Sequence, residues 1–338
     1  MRERLQSLIC WGEELQNLPQ STVDEWFDLA SQKNPWFDRP NLERALAGVL
    51  HYLSADQLRR WCAAYTWPEK QNPRKIGVVM AGNIPMVGFH DLLSVLVSGH
   101  ILYAKLSQKD EVLLPKLIQV LIEIDPYWSD YLNFVPQLKG MDAYIATGSD
   151  NSARYFKYYF GDRPHVIRKN RTACAVLDGH ETDQELLALG EDVFAYYGLG
   201  CRNVSKLWLP EGYDMVHLLD VWQAFAIVNH HHKYSNNYIY QQGIRLMNQE
   251  PIYDSGFLVL LESEEFFAPT AMLYYSFYKN LNDVEAQISA RAEDIQCVVS
   301  REGTFLRGVG FGQAQHPNLW DYADGVDTLN FLLCDTLG

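Results

Sequence analysis

Cys201 lies in the run Tyr197-Gly198-Leu199-Gly200-Cys201-Arg202-Asn203, where a helix expected over about 182–197 gives way to a strand expected near 203–209. Glycines at 198 and 200 open backbone conformations that a Cβ would forbid, so the pattern predicts a thiol with little cover. Amide groups at a helix end or in a nest-like turn favour thiolate over thiol, and thiolate is the form that attacks a carbonyl. An isolated cysteine in such a run serves equally as a small buried apolar residue, so the other chemistry-bearing positions decide its meaning.

Four such positions stand at predicted junctions of strand with helix or turn. The strand Ile76–Ala81 runs into Gly82-Asn83-Ile84-Pro85, which places the Asn83 amide where it could donate to a charge developing on a carbonyl oxygen. Loss of one such donor typically costs about 3 kcal/mol of barrier stabilisation; an Asn in a turn before Pro needs no such role. Lys105 ends the next strand in Ala104-Lys105-Leu106-Ser107 and could bind a ribose hydroxyl or a phosphate, or simply be solvated. In Ala146-Thr147-Gly148-Ser149-Asp150 a strand passes into a helix, so Gly148 and Ser149 present N–H groups and a hydroxyl of the kind that binds phosphate. Ser149 and Asp150 fit plain N-caps as well, and Asp150 is read as one. The last is Glu264-Glu265-Phe266-Phe267-Ala268-Pro269 after an apolar strand, with Glu265 aimed inward if that strand ends in a cleft.

The elements that must hold these groups follow from the rhythm of the chain. The first 70 or so residues read as short amphipathic helices with Trp11, Trp26, Phe27, Trp36 and Trp61 on packing faces. Thr22 with Glu25 resembles a capping box, and Asn41 and Ser54 are placed as later N-caps. From Lys75 strands and helices alternate, which predicts a parallel sheet covered by helices, with ligands at the carboxyl ends of the strands. Strands are expected at 76–81, 101–106, 131–135, 142–146, 165–168 and 173–177, then at 203–209, 257–261, 271–277 and 295–300. The resulting division is a helical segment over 1–70, a first α/β domain over 71–197, a second over 198–312, and a segment over 313–338 that returns to the main body.

Composition narrows the function classes. With 338 residues, 48% of them hydrophobic, the chain can fill a large α/β core. A net charge of −14 argues against nucleic acid as a bulk electrostatic partner. A local exception runs through Arg154, Lys157, Arg163, Arg168, Lys169 and Arg171, opposed by Asp162 alone, which could draw in an anionic cofactor or form a solvated edge. The best membrane-span candidate, Met86 to Gly99, is broken by His90 and Asp91 and falls short of about 20 apolar residues. Without a signal-peptide core, a cytoplasmic location with reduced thiols is expected; the six cysteines form no CxxC pair. The consecutive His230, His231 and His232 point in different directions on a helix and are not read as a metal site.

Taken in order, Asn-x-Pro, Lys, Thr-Gly-Ser, Gly-x-Gly-Cys and Glu-x-Phe-Ala-Pro resemble the aldehyde dehydrogenase superfamily over roughly 74–312. The resemblance implies a Rossmann-type dinucleotide-binding domain over 71–197 and an α/β catalytic domain over 198–312. It also implies Asn83 as oxyanion donor, Lys105, Thr147, Gly148, Ser149 and Glu265 as cofactor-binding, and Cys201 as nucleophile. Ala81-Gly82-Asn83-Ile84-Pro85, Ala146-Thr147-Gly148-Ser149-Asp150 and His232-Lys233-Tyr234-Ser235-Asn236-Asn237-Tyr238 are most similar to the acyl-CoA reductase branch, the reductase type of bacterial bioluminescence. That branch implies NADPH, or NADH, as cofactor and an acyl-CoA or acyl-carrier-protein thioester as substrate, reduced to a long-chain fatty aldehyde. It also admits an acyl ligase partner and a homo-oligomer. The chain departs from the superfamily in three ways. The stretch that carries a general-base Glu in hydrolysing members is Ile167-Arg168-Lys169-Asn170-Arg171 here; Leu199 and Leu106 replace a Gln and a Pro; and the chain is shorter ahead of Asn83, so the oligomerisation arm is expected to be missing or altered. An acyl pocket lined by Tyr196, Tyr197, Phe266 and Phe267 is a further expectation, with core packing the competing role for each.

Overall fold

The computed structural model describes residues 1–69, 72–148 and 150–334, with backbone alone for 150–153. The chain divides into two compact units, one formed by 1–170 with the segment from 318 onward, the other by 171–317.

The first unit opens with four helices: α1 (Arg2–Gln16), α2 (Gln20–Lys33), α3 (Arg39–Leu53) and α4 (Ala55–Ala63). Trp11, Trp26, Phe27 and Trp61 are buried on their inner faces, as the periodicity predicts. Ser54 caps α4 by accepting from the Gln57 N–H, as expected. The other two caps fall elsewhere. Asp38 caps α3, because it precedes Arg39-Pro40 and its carboxylate accepts from the Asn41 N–H; Thr22 and Glu25 lie inside α2, whose N-cap is the extended Pro19.

The chain then alternates through β1 (Lys75–Val79), α5 (Phe89–Ser98), β2 (Ile101–Lys105), α6 (Leu113–Ile124), β3 (Leu132–Phe134), β4 (Ala143–Thr147), α7 (Asp150–Phe160) and β5 (His165–Arg168). All five strands are parallel, in the order β3-β2-β1-β4-β5. The order reverses between β1 and β4, which is where open α/β sheets place their ligands. The apolar run ahead of Gly99 is α5, buried along almost its whole length, and no helix among the described residues is long and apolar enough to cross a membrane. From Asn318 the chain rejoins this unit: the Asn318 Oδ1 accepts from Gln57 Nε2 at 2.9 Å, and a helix over Thr328–Leu333 follows.

The second unit contains β6 (Thr172–Val176), α8 (Asp183–Phe194), β7 (Val204–Pro210), α9 (Met215–Trp222), α10 (His232–Met247), β8 (Ile252–Asp254), β9 (Val259–Glu262), β10 (Met272–Tyr278), α11 (Leu281–Ala290), β11 (Ile295–Ser300) and β12 (Gly308–Val309). Its seven-stranded sheet has the order β12-β11-β6-β7-β10-β9-β8 and is parallel except for the β8–β9 edge. Alternation along β7 fills both faces: Leu207 and Leu209 pack with Leu186, Leu189 and Trp222, while Trp208 packs with Cys174, Phe266 and Ile288. The expected boundary at 197/198 groups β6 and α8 with the first sheet. In the structure β6 pairs with β7 and β11, and the division falls at 170/171. All five residues of β6 are buried, a pattern that fits either sheet equally.

Candidate active site

In the first unit, Asn83, Lys105, Thr147 and Gly148 all lie at carboxyl ends of strands. Asn83 is exposed in the loop that leaves β1, and Lys105 is the exposed last residue of β2, paired in register with Val79 of β1. Thr147 ends β4 and Gly148 follows, both half-buried, with the Gly148 N–H donating to Arg168 O at 3.4 Å. Ser149 lies outside the described residues.

The Asn83 loop is held from beneath. Gly82 passes so close to the loop after β2 that a Cβ there would lie 2.6 Å from both Cβ and Oγ of Ser107. Two residues past Ile84, Met86 adopts φ +55°, and its N–H donates to Asp110 Oδ2 at 2.7 Å. Asp110 is buried, which pushes its carboxyl up to about 6 against the opposing pull of that N–H. Nothing in the sequence pattern singled out Asp110, because a buried acid and a solvated turn acid look alike in one sequence. Asn83, Lys105 and Thr147 thus share the carboxyl-end edge of one parallel sheet, and an amide, an ammonium and a hydroxyl are groups whose chemistry suits a phosphate or a ribose.

The basic run near β5 is less available than its sequence implies. Arg168 is buried and ion-paired with Asp91 of α5, and it donates a second bond to Thr328 Oγ1 at 2.6 Å. Arg171 donates to the carbonyls of Ala292 and Ile295 in the second unit. Two of the six cations therefore serve the fold.

In the second unit, Cys201 is half-buried in the turn immediately before β7. The helix expected to reach 197 stops at Phe194; Tyr196, Tyr197 and Gly198 follow with φ of +52°, +58° and +74°. Two consecutive non-glycine residues in the left-handed region cost on the order of 1–2 kcal/mol each, so something must hold them. That group is Asn203, 2% exposed. Its Nδ2 donates to the carbonyls of Asp192 (3.1 Å), Val193 (3.3 Å) and Ala195 (2.8 Å), while its Oδ1 accepts from the Gly200 N–H at 2.8 Å. The side chain two residues after Cys201 thus closes the end of α8 and the glycine turn together. Asp192, fully buried, accepts from the N–H groups of Gly312 and Ala314 at 2.7 and 2.9 Å, and burial pushes its carboxyl up to about 7.

The neighbouring thiols differ from Cys201. Cys174 and Cys297 are buried in the sheet, and burial raises both, Cys297 to about 12 although the Arg202 guanidinium opposes the shift. No cysteine is disulfide-bonded.

Glu265 is exposed on the crossover from β9 to β10, its N–H donating to Ser263 Oγ at 3.1 Å. Strand β7 fastens that crossover through adjacent side chains. Ser205 Oγ donates to Phe266 O, and Lys206 Nζ donates to Ser263 O and Ser276 Oγ. The second unit therefore ties the Cys201 turn and the Glu265 crossover to one strand. Of the expected pocket aromatics, Tyr196, Tyr197 and Phe266 are core residues, Tyr197 packing on His231 with ring centroids 4.4 Å apart and Phe266 on Trp208 at 5.4 Å; Phe267 is exposed. His231 also caps α10 through Nδ1, which accepts from the Tyr234 N–H.

The fold matches solved structures across 88% of the chain. An aldehyde dehydrogenase of Mycobacterium tuberculosis complexed with NAD+ aligns with a TM-score of 0.62 at 11% identity, over 72% of its own length. An indole-3-acetaldehyde dehydrogenase of P. syringae in complex with NAD+ and IAA aligns at 0.64 and 11%, over 71% of its length. An NADP dependent enzyme of E. coli aligns at 0.63 and 12%, over 72% of its length. No family profile and no curated protein matches the sequence. The fold is aldehyde dehydrogenase-like, with a parallel first sheet, a mixed second sheet and an N-terminal helical segment.

Proposed function

We propose that this chain is a nicotinamide-dependent oxidoreductase that reduces a fatty acyl-CoA thioester to an aldehyde through an acyl group carried on Cys201. The first unit is read as the dinucleotide-binding domain and the second as the catalytic domain. The observation that carries the proposal is the Ile167–Arg171 stretch, which offers no carboxylate where hydrolysing aldehyde dehydrogenases have their general base. Without that base water is a poor acceptor, and a thiol is the natural partner for acyl exchange.

In this scheme the Cys201 thiolate attacks the thioester carbonyl and the Cys201 N–H stabilises the oxyanion; the resemblance implies the Asn83 amide as a further oxyanion donor. The C–S bond to coenzyme A breaks, the coenzyme leaves as a thiolate that takes up a proton, and the acyl group stays on Cys201. Lys105, Thr147, Gly148, Ser149 and Glu265 would hold the dinucleotide, which when bound supplies the hydride. As the aldehyde departs, Cys201 regains its thiolate, a leaving group good enough to need little general-acid help. The buried Asn203 keeps the Cys201 turn in place throughout.

The solved relatives support a second reading, aldehyde oxidation on the same fold, since several of them are aldehyde dehydrogenases bound to NAD+. An anaerobic assay separates the two: NADPH and NADH oxidation are followed with acyl-CoAs of increasing chain length, and the aldehyde is trapped and identified. Acyl-CoA-dependent oxidation with stoichiometric aldehyde is expected. Turnover only with aldehyde and oxidised cofactor would favour the second reading, and no turnover with either, or with an acyl phosphate, would favour a binding protein that retains the fold.

A further inference from the structure

The Glu264–Glu265 crossover is held by a buried charge that the scheme above leaves unused. Lys206, 1% exposed in the middle of a seven-stranded sheet, sends its ammonium to Ser263 O and to Ser276 Oγ. Ser276 Oγ lies 3.1 Å from Ser263 O and 3.4 Å from Glu264 Oε1, so lysine, serine and glutamate form one chain of contacts. From the adjacent position, Ser205 Oγ holds Phe266 O. Residues 263 and 266, which bracket the two glutamates, are thus each fixed by β7, the strand that follows Cys201.

A lysine is a costly choice for packing alone, because an apolar side chain of similar volume would fill the site without taking an ammonium out of water. Burial lowers Lys206 to about 8, and the carboxylates of Glu264, Glu262 and Glu265, with Cys174, act in the opposite sense. The Trp208 ring, 5.7 Å from Nζ, adds a cation–π contact. The ammonium therefore stands where it can fix both the path of the crossover and the charge balance at Glu264 and Glu265.

We propose that Lys206 is a positioning residue for the dinucleotide: it sets the crossover that presents Glu265, so cofactor affinity depends on it while acyl transfer to Cys201 does not. This rests on the reading of Glu265 as a cofactor-binding residue. The test uses the full chain and two readouts, NADPH binding by fluorescence and acylation of Cys201 by intact mass, in Lys206→Met, Ser276→Ala, Glu265→Gln and the Lys206→Met/Glu265→Gln double variant. Loss of the charge-assisted bonds should weaken NADPH binding by about tenfold or more in Lys206→Met, with acylation within about threefold of wild type. Ser276→Ala, a small change that spares the fold, should weaken binding by about threefold and decides the matter if Lys206→Met does not fold. The double variant should bind no more weakly than the poorer single variant, since both changes act through one carboxylate. Wild-type NADPH affinity in Lys206→Met, or effects that multiply in the double variant, would overturn the assignment. A wild-type protein that binds no NADPH at all would instead remove the proposed function, and this role with it.

Discussion

Asn203→Ala tests whether the Cys201 turn is a pinned structure. The side chain is 2% exposed, its Nδ2 serves three carbonyls, and its Oδ1 takes the Gly200 N–H. Two N–H protons and one acceptor give roughly three net hydrogen bonds, at about 1 kcal/mol each, and truncation leaves buried backbone groups without partners. Against this, relaxation of the turn would release part of the strain stored at Tyr196 and Tyr197. The expected net loss is about 3 kcal/mol in urea unfolding, readable as a lower midpoint at unchanged slope. On the proposed function, displacement of the Cys201 thiol by about 1 Å should slow acyl transfer from a thioester to it on the order of a hundredfold. Asn203→Asp keeps the acceptor for Gly200 but loses the donors, and should be at least as damaging. A variant within about 0.5 kcal/mol of wild type that acylates normally would refute the pinning of the turn by this side chain.

Burial raises the Asp110 carboxyl to about 6, above its ordinary 3.8, so the folded chain binds the proton more tightly than the unfolded one between those values. The contribution is therefore largest below about pH 4 and is lost as pH rises through 6; relative to Asp110→Asn, wild type should lose about 2–3 kcal/mol between pH 4 and 7, measured by chemical unfolding at each pH. Arg168→Met strands the Asp91 carboxylate, 7% exposed, and should cost about 3–5 kcal/mol, whereas adding Asp91→Leu should restore much of it in a double-mutant cycle.

The strand pattern was legible because apolar runs of four to seven residues sit between turn signals. β2, β4 and β11 fall within a residue or two of their expected ends. Strand partners were not legible: Thr172–Val176 is buried on both faces, and nothing local says which sheet it joins. Asn83, Lys105 and Thr147 fall at or just past strand ends as the alternation predicts, because apolar runs mark where strands stop. Their supports were not legible. Asn203, Asp110 and Lys206 are polar residues whose roles come from burial and from the partners that the fold brings to them: Lys206 reaches residues 57 and 70 positions away. Helix starts expected at Thr22 and Asn41 fall elsewhere because several polar residues compete as caps there: the extended backbone of Pro19 starts α2, and the Asp38 carboxylate starts α3 by accepting from the Asn41 N–H.

The central claim is that Cys201 carries the acyl group. Incubating the protein with a fatty acyl-CoA in the absence of reduced cofactor, then measuring intact mass and mapping the modified peptide, tests it most directly. The account predicts one acyl adduct on Cys201, abolished by Cys201→Ala and discharged as free aldehyde when NADPH or NADH is added. An unmodified Cys201, or an adduct that persists on another residue in Cys201→Ala and still yields aldehyde, would contradict it.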